Sequence, residues 1–214
     1  MRAAFLAGYQ NQAYAERYRS RIARLRAAEE KAVPGSTAVT EAAARNLFKL
    51  MAIKDEYEVA RLYTDGSFKR QLAAEFESYD RLEFHLAPPI LGRRDAAGHP
   101  RKSNFGPWMM TAFRLLARMR GLRGTAFDLF GRTEERRMER RLLTEYEGDL
   151  DRIEALLSPE RADAAAALAS VPALIRGYGH IKEANAAKAA QERARLIQRL
   201  EGGEKEDPFL KAAE

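Results

Sequence analysis

Apolar residues recur at helical spacing over most of the chain, and the period changes in one region only. Tyr14, Tyr18, Ile22 and Leu25 stand four, four and three residues apart, which places them on one helical face. The spacing predicts a helix from the first residue to about Ala32. It has no capping signal ahead of it, as in a chain cut from a longer one. Val33 to Val39, with Pro34, Gly35 and Ser36, reads as a loop. Thr40 can cap the next helix through its hydroxyl, with Glu41 favourably placed beside the positive end of the macrodipole. That helix presents Leu47, Phe48, Met51, Val59 and Leu62 and closes at Asp65-Gly66, after which Phe68, Leu72 and Phe76 mark a shorter one.

Between Arg81 and Phe105 the period becomes two. Leu82, Phe84 and Leu86 alternate with Arg81, Glu83 and His85, the pattern of a half-buried strand that Pro88-Pro89 ends. Ile90 to Phe105 holds Asp95, Gly98 and Pro100 and reads as a hairpin or an irregular loop. Pro107 suits the first turn of a helix, where its missing N–H is no loss. Trp108, Ala112, Leu115 and Met119 then share a face, Gly121 and Gly124 break it, and Phe127 and Phe130 anchor a loop. Thr133 followed by Glu134 and Glu135 opens a long helix with Met138, Leu142, Tyr146, Leu150, Ile153 and Leu157 in one stripe. Ser158-Pro159-Glu160 opens an Ala-rich helix that stops at Val171-Pro172, and a last helix runs from about His180 to Leu200. These elements predict a mainly α fold: a bundle-like single domain over residues 1–201, a small β-hairpin insertion around residues 81–105, and a disordered tail at 202–214.

Composition narrows the chemistry. A chain of 214 residues fits one domain of about 100 to 200 residues, or one with an appendage, and buries enough surface to fold alone. Cys is absent, which excludes disulfides, thiolate zinc sites, cysteine-ligated iron-sulfur clusters and a cysteine nucleophile within this chain. With only His85, His99 and His180, a histidine-built metal site is not anticipated either. Uncharged stretches such as Ala164 to Ile175 are far short of the roughly 20 apolar residues of a membrane span, so a soluble, cytoplasmic protein without membrane contact is expected.

The charge is uneven. Lys and Arg number 37 against 31 Asp and Glu, and one window, Arg93 to Arg123, holds more than the whole excess: Arg93, Arg94, Arg101, Lys102, Arg114, Arg118, Arg120 and Arg123 against the single acid Asp95. Such a field attracts anions, whether phosphate, an acidic protein face or nucleic acid, unless it is simply a solvated face. His180 and Lys182, after Gly177-Tyr178-Gly179 at a helix start, form a second candidate anion site, against the reading of a tight turn between helices. Asp55 and Glu58, one same-face step apart, could hold a metal or share a proton, with Lys54 and Arg61 as neutralising partners. His85 is a conceivable general base on the polar phase of its strand. Phe105, Trp108 and Phe113 interleave with Arg101, Lys102 and Arg114 as nucleic-acid binding requires, yet the helical spacing favours Trp108 and Phe113 as core. The chain holds no Gly-rich phosphate loop, dinucleotide fingerprint or nucleophile elbow.

Four stretches are long enough to be specific. Leu50 to Phe68 (LMAIKDEYEVARLYTDGSF), Leu82 to Leu91 (LEFHLAPPIL), Phe105 to Arg140 (FGPWMMTAFRLLARMRGLRGTAFDLFGRTEERRMER) and Gly177 to Asn185 (GYGHIKEAN) resemble, in order, the C-terminal region of the long single-chain indolepyruvate ferredoxin oxidoreductases of the 2-oxoacid:ferredoxin oxidoreductase family. The resemblance spans about Ala4 to Leu200, with Ile53 standing where an aromatic residue is expected. It implies a parent enzyme that oxidatively decarboxylates arylpyruvates such as indolepyruvate, using thiamine diphosphate with Mg²⁺ and coenzyme A, and passes electrons through iron-sulfur clusters to ferredoxin. The Gly-Asp-Gly motif that grips the diphosphate in that family is missing here, as are the cluster cysteines, so no catalytic residue and no cofactor is assigned to this chain. The resemblance therefore implies a terminal non-catalytic domain with an assembly, cover or docking role. Its partners would be the catalytic domains, ferredoxin or coenzyme A, or a second copy of itself. A stand-alone basic module that binds nucleic acid or an acidic protein is the alternative.

Overall fold

A computed structural model describes residues 1–86, 102–177 and 179–202, with Gly179 and His180 described by their backbone alone. Among the described residues the fold is mainly α with one small antiparallel hairpin, as the hydrophobic pattern predicts. The helices are α1 (Arg2–Tyr9), α2 (Gln12–Ala32), α3 (Ala38–Met51), α4 (Glu56–Thr64), α5 (Ser67–Glu75), α6 (Met109–Arg118), α7 (Glu134–Leu156), α8 (Ala162–Ser170) and α9 (Gly179–Gly202). The strands are β1 (Phe84–Leu86) and β2 (Ser103–Phe105), paired Phe84 with Phe105 and Leu86 with Ser103. No helix of the described residues is long and apolar enough to cross a membrane. Pro88-Pro89, Arg93, Arg94, Arg101 and the tail beyond Gly202 lie outside the described residues.

Two helices that the spacing reads as continuous are broken. The first is interrupted after Tyr9, whose carbonyl accepts a hydrogen bond from the Arg123 guanidinium instead of from the next helical turn. The second is interrupted between Met51 and Glu56, where Asp55 takes an extended conformation and its carboxylate accepts the Glu58 N–H.

The chain divides into two compact units. One comprises Met1–Leu6, Gln12–Ala52 and the described part of Met138–Glu214. Its core joins Tyr18 and Leu25 of α2, Ala43, Leu47 and Met51 of α3, Leu150 and Ile153 of α7, Ala165 and Leu168 of α8, and Leu196 and Leu200 of α9. Ala42 and Ala43 facing the Ala-rich α8 let the two backbones approach, and the buried Asn46 amide donates to the Ala42 and Ala169 carbonyls, 3.0 Å each. Carbonyls at the end of α8 and in the turn that follows it accept bonds from other elements: Tyr146 Oη donates to Ala169 O at 2.7 Å, and Lys49 Nζ donates to Pro172 O and Ile175 O at 2.6 and 2.8 Å. At the other end of α3, Glu29 accepts the N–H groups of Val39 and Thr40 at 3.0 and 2.9 Å as well as the hydroxyls of Ser36 and Thr40. Thr40 thus does not cap α3 as its hydroxyl suggests; the helix begins earlier, at Ala38, and a carboxylate from α2 does the capping. Arg17, Arg21 and Arg24 of α2 meet Glu147, Asp151 and Glu154 of α7 at a constant offset, so these helices run parallel along an ionic ladder.

The other unit comprises Ala7–Asn11 and Ile53–Arg137. α6 lies along α4, and its buried face is Met109, Met110, Phe113 and Ala117, packed with Ala60 and Phe84. Tyr63 stacks on Phe113 with ring centroids 4.9 Å apart and meets Phe68 and Phe84 edge-on. The hairpin supplies Phe84 to this aromatic cluster, with Leu82 and Leu86 alongside, which is why period two appears there.

Candidate functional site

The positive window resolves into residues with different fates. Asp55 and Arg123 form a two-point ion pair, Nη2 to Oδ1 at 2.8 Å and Nε to Oδ2, with the two side chains only 6 % and 11 % exposed. The same guanidinium lies 3.7 Å from the centre of the Tyr9 ring and 5.3 Å from that of Tyr57. Burial alone would lower the Arg123 pKa, but the Asp55 hydrogen bonds and charge overcome it and raise it. Arg123 is therefore a brace of the fold, and its charge is spent internally.

Beside this brace the Tyr57 hydroxyl donates to Asp128 Oδ1 at 3.3 Å, and Tyr57 meets Phe130 edge-on at 5.3 Å. Asp128 also accepts the N–H groups of Gly124, Phe130 and Gly131 at 2.9, 3.2 and 3.0 Å, which holds the loop after α6 in one shape. Phe130 anchors that loop as expected. Phe127 does not: it projects from the loop, 76 % exposed, with Leu129 also outward.

Asp55 and Glu58 are not a metal pair. Their spacing is that of an N-cap and the third helical residue, and their charges are met by Arg123 and by Arg61, which donates to both Glu58 oxygens at 2.8 and 2.7 Å. No cluster of His, Asp and Glu among the described residues is arranged to hold a metal. The neighbouring Glu56 is different, since its Oε2 is buried without a hydrogen-bond partner, and Arg136 lies 3.7 Å away. Burial raises the Glu56 pKa despite that arginine.

Lys102 precedes β2 and is exposed, and His85 is exposed on β1 opposite Asn104. Arg114 and Arg118 stand on the outer side of α6, and Arg120 is half-buried in the turn that follows. No acidic side chain among the described residues pairs with Arg114, Arg118 or Arg120, consistent with the absence of any acid from residue 96 to 127. The face read from spacing as core, Trp108, Ala112, Leu115 and Met119, is not the buried one. Trp108 is 61 % exposed and Leu115 62 %, because α6 carries two apolar faces and the one around Phe113 meets α4.

Lys182 belongs to the other unit and pairs there with the buried Glu139 of α7. Gly177 takes a left-handed conformation, φ +92°, ahead of α9, so the turn reading of Gly177 to His180 holds at its first residue, while the His180 side chain lies outside the description. Nearby a half-open cleft lined by Leu50, Tyr146, Val171, Pro172, Ile175 and Ala189 has a volume of about 30 Å³, room for a water or two. Burial, followed by the charges of Arg176 and Lys182, lowers the Lys49 pKa at this end of the bundle, yet its two carbonyl acceptors assign it a structural task.

The model of a family of unknown function, DUF6537, matches residues 1–195. No curated protein and no solved structure matches the chain.

Proposed function

The chain belongs to the DUF6537 family, and from its sequence and geometry we propose that it is a non-catalytic domain of a thiamine diphosphate-dependent indolepyruvate ferredoxin oxidoreductase, which assists the catalytic domains by packing on them. The observation that carries the reading is where the family-like stretches fall. Leu50 to Phe68 and Phe105 to Arg140 supply Asp55, Tyr57, Glu58, Arg61, Arg123, Asp128 and Phe130, and each is engaged in a buried pair, a cap or a loop brace. On this reading, what the chain would share with those enzymes is scaffold. Asp55, Glu58, Arg61, Arg123 and Asp128 of these stretches are hydrogen-bonded or ion-paired within the fold, and the cysteines and the diphosphate-binding triplet of the parent chemistry are missing from the sequence.

Thiamine diphosphate, Mg²⁺ and the clusters would be held by the catalytic domains of the parent, where the decarboxylation and electron transfer occur. The test is reconstitution. This chain alone, given indolepyruvate, thiamine diphosphate, Mg²⁺, coenzyme A and ferredoxin, should produce no acyl-CoA and retain no thiamine diphosphate, and it should bind the separately produced catalytic portion of such an oxidoreductase. Turnover by the isolated chain, or no association with the catalytic portion at micromolar concentration, would sink the reading.

A further inference from the structure

The exposed residues of α6 repeat at helical spacing. Trp108, whose backbone is already helical, Thr111, Leu115 and Arg118 fall at steps of three, four and three, and Arg114 sits one turn before Arg118. This strip covers two to three turns, about 15 Å, opposite the face buried on α4. Its two large apolar side chains are more than half exposed, while the guanidiniums on either side of Leu115 have no acidic partner among the described residues. A Trp and a Leu more than half exposed, beside arginines that no acid among the described residues pairs with, have the composition of an interface centre, in which Trp and Arg are enriched. The helix beneath is fixed by the stacked Tyr63 and Phe113, so the strip is presented in one geometry.

We propose that the outer face of α6, Trp108, Thr111, Arg114, Leu115 and Arg118, is the surface through which this chain docks on the catalytic portion of its oxidoreductase, onto an acidic patch with an apolar hollow. The inference rests on the function proposed above and adds the place and chemistry of contact. Charge complementarity selects the partner's surface: residues 96 to 127 contain no acid, so an Asp- or Glu-bearing face supplies the charge that Arg114 and Arg118 lack in this stretch. Nucleic acid fits less well, because a phosphate backbone offers nothing to Leu115 at the centre of the strip.

Trp108 is the single Trp of the chain and lies within the strip, so 5-hydroxytryptophan in its place reports on the surface directly, free of the partner's own tryptophans. Mixing with the catalytic portion should shift its emission to the blue and protect it from iodide. Leu115→Glu should weaken binding by roughly 30-fold or more, through faster dissociation. Arg114→Glu with Arg118→Glu should slow association by roughly tenfold at low salt, with the difference fading at high salt. All three positions are exposed, so unchanged circular dichroism in the variants separates docking from folding. If the wild-type chain binds and neither variant changes the affinity, or the emission stays put, the surface is wrong and the functional reading stands. If the wild-type chain does not bind, both fall. If the catalytic portion binds every variant equally while a mixed-sequence oligonucleotide binds only the wild type, the strip is a nucleic-acid surface and the proposal is overturned.

Discussion

Replacing Arg123 by Met tests the central brace of the second unit. The substitution removes both hydrogen bonds to Asp55, the donor to the Tyr9 carbonyl and the cation held 3.7 Å from the Tyr9 ring. Asp55 is left with the Glu58 N–H as its remaining partner at a site where its side chain is 6 % exposed, and an uncompensated buried charge costs about 3–5 kcal/mol. With a urea slope of about 2 kcal/mol per molar, the unfolding midpoint should fall by roughly 2 M. Equilibrium unfolding followed by circular dichroism measures the loss, and amide hydrogen exchange locates it, since the amides of α4 should lose protection first. The companion variant Asp55→Ser keeps a capping oxygen and removes the charge. In that background Arg123→Met should cost much less than alone, with a coupling energy of about 1–3 kcal/mol. A loss below about 1 kcal/mol for Arg123→Met, or strict additivity in the double variant, would refute the view that Arg123 is a structural brace and return it to the list of surface cations.

Three further outcomes follow from the same geometry. Burial pushes the Glu29 carboxyl upward, but the hydrogen bonds from Thr40, Ser36 and Val39 outweigh it and hold the pKa below the ordinary 4.5; its stabilisation is present above that value and disappears as pH falls through the lowered one. Glu29→Gln should therefore cost about 1–2 kcal/mol at pH 7 and flatten the acid limb of stability against pH, measured by urea unfolding from pH 7 to 3, and an unchanged acid limb would contradict the capping role. Glu56 should behave oppositely, because its carboxyl is raised by burial: the folded state holds that proton more tightly, so stability declines as pH rises from 4.5 through the raised value, and Glu56→Gln should be at least as stable as the parent at pH 7. A clear destabilisation by that amide would show the Arg136 charge to outweigh desolvation. Gly177→Ala places a methyl 2.7 Å from Ile181 Cγ2 at φ +92° and should cost about 1–2 kcal/mol, read as a lowered thermal midpoint, whereas a neutral result would mean the turn relaxes.

Helical period, Thr133 at the head of α7, Pro159 and Pro172 flanking α8, and the alternation at Leu82, Phe84 and Leu86 were enough to determine a mainly α fold with one hairpin, because each is a local preference that acts over one or two turns. The lack of Cys and of phosphate-gripping motifs was likewise written in the residues themselves. The breaks after Tyr9 and before Asp55 were not so legible. One depends on Arg123, 114 positions away, and although the Asp55 to Glu58 spacing is a cap signature, it is equally that of two carboxylates on one face until Arg123 and Arg61 are seen to claim them. Glu29 in place of Thr40 as the cap of α3 has the same cause, a partner brought in by packing. On α6 both faces are apolar, and only the docking of Phe113 against α4 decided which would be core and which would carry Trp108 and Leu115 outward. Local sequence sets which segments coil and where they can stop. Which charges are spent inside and which remain free depends on long-range neighbours, because a charge is neutralised by whatever the fold places within a few ångströms of it.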